Sequence, residues 1–220
     1  MAAVVACVVS VLFASVVLRR YIRSGRPAFA AWAVGLIIFA AAAGCQAAGE
    51  HLGFTAPVFR AFYLLGGVLG VIWLSMGTLF LLAPRRVALA ATAILAVVTM
   101  ALAVDAAVVP VDSSRLGSAA GVLGAAIAGG SPLQVGAVFL NILGTLILVG
   151  GSAWSAVRLV RHRGGADRVL CNVLLTVGAF VIAAGFSAAK ITGGSLDTLG
   201  VYEAVGITIM FAGFLSIGRF

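Results

Sequence analysis

The side chains that could bind a ligand are few, and most lie near the same ends of long apolar segments. The candidate ligand-binding residues are Glu50, Arg60, Tyr63, Asp105, Asn141, Lys190, Tyr202 and Glu203. Ionisable and amide groups are costly inside a membrane, so residues of these types are by default candidates for a site. If the faces that carry them converge, they form an outward-facing polar vestibule. Such a vestibule would bind a small polar or ionic ligand, or respond to protons.

The alternative is that the charged groups mark the membrane interface, with Arg60 and Lys190 extending their heads toward water. Asp105 is different, because it lies more than one helical turn before Pro110 and needs a partner. By depth, Arg60 is the nearest cation. We therefore expect Asp105, together with Asn141, to make a polar contact that either serves a site or fixes the bundle.

No catalytic or metal-binding pattern accompanies these residues. The chain has no GxSxG, Walker or CxxC motif, and its two histidines, His51 and His162, are predicted at opposite membrane faces. That placement excludes a zinc cluster and paired haem ligands. A retinal protein needs a Schiff-base lysine in its last helix, and residues 200–217 contain none. The sequence predicts no enzyme activity, no metal site and no cofactor.

The segments that would position the candidate residues are strongly apolar. Hydrophobic residues make up 63% of the chain and charged residues 9%, with a mean hydropathy of +1.23. About 20 continuous apolar residues cross a bilayer as a helix. The five prolines, which are tolerated at helix ends, lie at the edges of the apolar segments. The sequence predicts one all-α membrane domain of seven helices over residues 2–18, 27–48, 61–82, 87–109, 133–157, 169–190 and 200–217.

The charges predict the orientation of this bundle. Eleven of the fourteen basic residues fall at one set of helix ends, and five of the six acids fall at the other. Because positive loops mark the cytoplasmic face, the N-terminus is predicted outside and the C-terminus inside, in a bacterial cytoplasmic membrane. The net charge of +8 is spread over short loops. Its expected partners are anionic lipids of the bilayer, not nucleic acid.

Residues 111–131 form a connection that is long and rich in glycine. We expect an interfacial or partly re-entrant helix that covers the outer mouth as a lid. A disordered glycine-alanine loop is the alternative.

The second and sixth predicted helices share a short motif. Residues 42–48 and 183–189 both read AAGxxAA. The match suggests a parallel 3+1+3 repeat, with the fourth helix as linker, although chance similarity in an alanine-rich chain is the alternative. In both copies, small residues one turn apart would let helices approach closely.

Residues 25–82 also carry a resemblance to a known family. Arg26 and Pro27 open the second predicted helix, and Glu50 lies at its outer end. The phrase FRAFYLLG opens the third helix, which later contains Trp73. This stretch resembles the seven-helix membrane sensor domains found at the N-terminus of some bacterial histidine kinases and related signalling proteins. The family carries an output domain after its seventh helix, so in this chain the resemblance implies a signal passed to a separate partner.

Three functions remain open from the sequence. The first is a receptor-like protein with a small ligand in the outer vestibule. The second is a small-solute transporter, similar in length and orientation to the seven-helix parallel-repeat sugar transporters, although their Pro-Gln hinge is missing. The third is an accessory subunit of a membrane complex, with Gly66, Gly70 and Gly151 packing against partner helices.

Overall fold

The computed structural model describes residues 1–118, 121–127, 129–162, 165–192 and 195–216, with the backbone alone for 190–192. Within these ranges the chain is almost wholly helical and has no strand. Seven helices are long and apolar enough to cross a membrane, which confirms the predicted class and number. They are Ala2–Ser24 (α1), Pro27–Leu52 (α2), Ala56–Leu82 (α3), Arg85–Val108 (α4), Pro132–Arg161 (α5), Ala166–Thr192 (α6) and Leu196–Ser216 (α7).

The helix ends follow local backbone chemistry more than hydropathy. The first helix continues past its apolar part to Ser24, because nothing stops it before Gly25. Gly25 takes the left-handed conformation (φ 65°) and donates its N–H to Tyr21 O at 2.8 Å, which closes the last turn. Pro27 and Pro132 each occupy the first position of a helix, where no amide hydrogen bond is lost.

Six of the seven helices form a closed ring, and the remaining helix, α4, lies outside it. Each of α1, α2, α3, α5, α6 and α7 packs against the next, and α7 returns to α1. Helix α4 packs against α3 and α5. Trp73 Nε1 of α3 donates a hydrogen bond of 3.1 Å to Thr99 Oγ1 of α4. Its outer face exposes Val97, Met100 and Val104, as expected for side chains in contact with lipid.

The ring has two chemically different ends. The basic end is where α1 is joined to α2, α3 to α4 and α5 to α6. There the Arg20 guanidinium lies 5.0 Å from the ring centre of Phe214 and 5.6 Å from that of Phe29. The opposite end of the ring is called the acidic end. It contains the C-terminus of α4 and the N-terminus of α5, which are joined by residues 109–131, referred to as the connecting segment. Arg163 and Arg219, which contribute to the predicted orientation, lie outside the described residues.

Glycines let neighbouring helices touch along their backbones. A β-carbon on Gly178 of α6 would come within 2.5 Å of the Gly206 carbonyl oxygen on α7. Gly66, Gly70 and Gly151, which the sequence offered as contacts to a partner protein, instead have their nearest neighbours within the chain's own helices.

The AAGxxAA motifs meet different neighbours. Gly44 faces Cys7 of α1, whereas Gly185 faces Tyr202 of α7. In a 3+1+3 repeat, α1 would correspond to α5 and α7 to α3. The two glycines therefore contact non-equivalent helices, and the repeat remains a prediction.

Candidate functional site

Asp105 and Arg60 do not form the ion pair that their depth suggested. Asp105 Oδ2 accepts a hydrogen bond from the Leu133 amide at 2.9 Å, at the start of α5. Arg60 Nη2 donates to Val109 O at 2.9 Å, just past the end of α4. The ion pairs between described residues do not include these two side chains.

Each of these charges instead meets the helix end of opposite polarity. A carboxylate is favourable near a helix N-terminus and a guanidinium near a C-terminus, because the unpaired amides and carbonyls there carry partial charge. Asp105 thus joins α4 to the start of α5, and Arg60 joins α3 to the residue that follows α4. These two separate contacts connect neighbouring helices, which is one of the two roles that the sequence left open for Asp105.

A cavity of about 540 Å³ lies between α3, α5, α6 and the connecting segment. Aliphatic and aromatic side chains from each helix form most of its wall, among them Val71, Ile142 and Phe186. The polar side chains in the wall are Tyr63, Asn141, Thr145 and Ser187. This volume is that of a pocket for a small organic molecule. We refer to it as the α3–α5–α6 cavity.

Irregular helix geometry surrounds the cavity. Helix α3 is π-helical over Tyr63–Leu69, and α5 is π-helical over Leu146–Gly150. Such wide turns are rare and often mark functional sites. Helix α5 touches α3 closely at Gly144, and its second half packs on α6, whereas its first half, Pro132–Thr145, stands apart from α6. The cavity therefore opens sideways between α5 and α6, toward the lipid.

Two predicted site residues line this cavity. Asn141 Nδ2 donates to Gly67 O at 2.6 Å and to Ala137 O at 2.7 Å. Gly67 lies within the π-helical segment of α3. The Asn141 amide therefore bonds to a backbone carbonyl at a place where the regular α-helical hydrogen bonds of α3 are interrupted. The Tyr63 hydroxyl and Asn141 Oδ1 have no hydrogen-bond partner in the described part of the chain.

The connecting segment covers the acidic-end side of the cavity. The described part of this segment forms the short turns Ser113–Arg115 and Gly121–Ala125. Val122 and Leu123 are buried against the cavity. Gly124 (φ 120°) passes so close to Tyr63 that a β-carbon would lie 3.0 Å from its hydroxyl, so only a glycine fits there.

Polar contacts hold the outer part of this segment. Asp112 N donates to Ala126 O at 2.9 Å, and Arg115 Nη1 donates to Ala125 O at 3.1 Å. Hydrogen bonds from the Ser114 hydroxyl and amide, together with the nearby Arg115 charge, hold the pKa of Asp112 below its usual range.

A second polar group lies at the junction of α1, α2 and α7. Gln46 Nε2 donates to Glu50 Oε1 at 2.8 Å and to Leu196 O at 3.2 Å. Glu203, on the same face of α7 as Leu196, is buried there and interacts electrostatically with Glu50. The amino group of Met1 lies 3.9 Å from Glu50 Oε2. Glu50 also borders an open cavity of about 580 Å³ at the acidic end.

Six of the eight predicted residues therefore separate into three groups. Tyr63 and Asn141 line the α3–α5–α6 cavity, Glu50 and Glu203 belong to the polar group around Gln46, and Asp105 and Arg60 contact helix ends. Tyr202 is half-buried and packs against Gly185 of α6. The backbone of Lys190 belongs to α6, but its side chain lies outside the described part of the structure.

Sequence reasoning missed the polar residues Thr145 and Ser187 in the cavity wall. Both are small hydroxyl residues within apolar helices, where such groups usually bond to their own backbone. Ser187 Oγ does so, donating to Ala183 O at 3.0 Å. No signal in the sequence separates these two from other serines and threonines of the chain.

Comparisons with models of protein families, with curated proteins and with solved structures found no match. The class of the protein thus follows from its own helices. Seven helices of membrane-spanning length and apolarity make it a helical integral membrane protein.

Proposed function

We propose that this chain is a receptor-like seven-helix membrane protein that binds a small, mainly apolar ligand in the α3–α5–α6 cavity and signals through a separate partner. The observation that carries the proposal is the cavity itself. It has the volume of a small-molecule pocket, an apolar wall, and two polar atoms without partners at Tyr63 and Asn141. The ligand would lie deeper than the outer vestibule expected from the sequence.

The lining defines the chemistry of this ligand. Burial of apolar surface supplies most of the affinity, at roughly 25 cal/mol per Å². Asn141 Oδ1 can only accept a hydrogen bond, so the ligand would present a donor to it. The Tyr63 hydroxyl can donate or accept. A hydrophobic alcohol or amide of moderate size meets these requirements, and the sideways opening supplies an entry from lipid.

The packing of α5 supports signalling. Its first half borders the cavity, and its second half packs on α6 and ends at the basic end. A ligand that binds one arrangement of α5 and α6 more tightly than another would shift the population between them. With the C-terminus inside a bacterial cytoplasmic membrane, as the charges predict, that shift would reach a cytoplasmic partner. A parallel 3+1+3 repeat would be compatible with this function but is not needed for it.

Transport is less well supported, because the interior is packed toward the basic end. The voids below the cavity, around Leu74, Leu148 and Phe214, have volumes of only about 20 and 10 Å³. A solute would need a path that these side chains fill.

Photolabelling tests the proposal in lipid nanodiscs. The probe is an octanol that carries a diazirine, and labelled peptides are identified by mass spectrometry. We expect saturable labelling at residues 182–187 and 137–146. The substitution A183F places an aromatic ring in the cavity wall and should strongly reduce this labelling. The matched control V135F lies on the exposed face of α5 and should leave labelling unchanged. Labelling that never saturates, or that A183F leaves intact, would contradict the proposal.

A further inference from the structure

We propose that Gln46, Glu50 and Glu203 bind a hard metal cation through their oxygen atoms, at a site separate from the α3–α5–α6 cavity. The three residues are referred to below as the Gln46–Glu50–Glu203 cluster. Neither their spacing in the sequence nor the proposed function assigns them a metal, and the contacts of the Gln46 side chain on α2 with Leu196 and Gly200 on α7 bring them together.

The orientation of the Gln46 amide is determined by its partners. Its Nε2 atom faces a carboxylate oxygen of Glu50 and the carbonyl oxygen of Leu196, and both groups accept hydrogen bonds. The NH₂ group must point toward them. Gln46 is completely buried (0% exposed), so its Oε1 atom is left inside the protein without a donor.

Two carboxylate oxygens are in the same condition. Glu50 Oε2 and Glu203 Oε2 are buried without a hydrogen-bond partner in the described structure, and Glu203 is only 4% exposed. Leu196, Gly200 and Glu203 follow one face of α7 at helical spacing. The β-carbon position of Gly200 lies 3.4 Å from Gln46 Nε2, which places this face of α7 against the Gln46 amide.

Buried polar groups are normally paired, and buried charges especially so. The nearest positive group to this cluster among the described residues is the Met1 amino group, 3.9 Å from Glu50 Oε2. Three acceptors without donors, two of them on carboxylates, match the ligands that hard cations prefer. One divalent cation, or one monovalent cation together with a proton, would neutralise the two carboxylates. The open cavity beside Glu50 provides an entry.

Thermal unfolding in nanodiscs tests the site and identifies the cation. Chelator-treated protein is titrated with Na⁺, Ca²⁺ or Mg²⁺ at constant ionic strength, with N-methyl-D-glucamine as the inert cation. We expect one of the three to raise the melting temperature by on the order of 5 °C when it exceeds its Kd a hundredfold. Retention of radiolabelled ²²Na⁺ or ⁴⁵Ca²⁺ by the wild-type protein gives a second readout that needs no variant.

The variants E203Q and E50Q should each abolish the cation-dependent shift, because each removes one of the two charges. The matched control is D167N, which neutralises an exposed carboxylate at the opposite, basic end of the bundle and should retain the full shift. Equal stabilisation by all cations, an unchanged response in both E203Q and E50Q, or a melting temperature that depends only on pH would overturn the proposal. The last result would mean that the cluster holds a proton instead.

Discussion

Replacing Asp105 by alanine should destabilise the fold without touching the proposed ligand cavity. Asp105 Oδ2 accepts the hydrogen bond of the Leu133 amide at 2.9 Å, and Leu133 is completely buried. In D105A that amide loses its partner and no water reaches it. Hydrogen bonds to charged groups contribute about 1.5–3 kcal/mol. We therefore expect D105A to lower the free energy of unfolding by about 2 kcal/mol.

The assay is thermal unfolding in nanodiscs, followed by tryptophan fluorescence. For a chain of this size, each kcal/mol corresponds to about 2–4 °C, so D105A should melt about 6 °C below the wild-type protein. D105N keeps an acceptor oxygen but loses the charge. Its melting temperature should therefore lie between those of D105A and the wild-type protein. The matched control is D167A, which removes an exposed carboxylate from the first turn of α6.

The octanol probe separates a structural role from a ligand-binding one. D105A should still be photolabelled at residues 182–187 below its melting temperature, because Asp105 does not line the cavity. The reasoning fails if D105A melts within about 1 °C of the wild type, or if it keeps its stability but loses labelling. The second result would return Asp105 to the ligand site expected from the sequence.

Three further changes test the packing around the site. N141L removes the donor to Gly67 O, so amide hydrogen exchange in residues 63–69 should accelerate and stability should fall by about 1 kcal/mol. G178L would force a side chain into the backbone of α7 and should abolish monodisperse protein on size-exclusion chromatography, whereas G150A, with open space around it, should not. The lowered pKa of Asp112 stabilises the connecting segment above the ordinary value of 3.8, and this contribution is lost as pH falls through the folded value. The protection of amide hydrogens in residues 109–118, measured relative to their intrinsic exchange rates, should fall over that range, and D112N should remove this pH dependence.

Sequence reasoning named Asp105 and Asn141 as residues in polar contacts but did not predict their partners. Asp105 was expected to need a partner, and it has one, yet the partner is a backbone amide of α5 and not Arg60. The reason is physical, since a helix end offers partial charge that composition does not reveal. Asn141 was expected in a polar contact, and its partner is a carbonyl inside a π-helical segment. No pattern in the apolar third helix predicts that irregularity.

By itself, the sequence indicated seven helices that are long and apolar enough to cross a membrane, and prolines and glycines near the ends of several of them. Lipid offers no hydrogen-bond partners, so every long apolar segment must be a helix, and local chemistry is enough to place it. Only the tertiary structure decided which faces meet. The α3–α5–α6 cavity exists because α5 touches α3 at Gly144 but stands apart from α6 over Pro132–Thr145. The Gln46–Glu50–Glu203 cluster exists because Gln46 of α2 contacts Leu196 of α7, which lies 150 positions later in the chain. Such contacts depend on the packing of whole helices, which no single segment encodes.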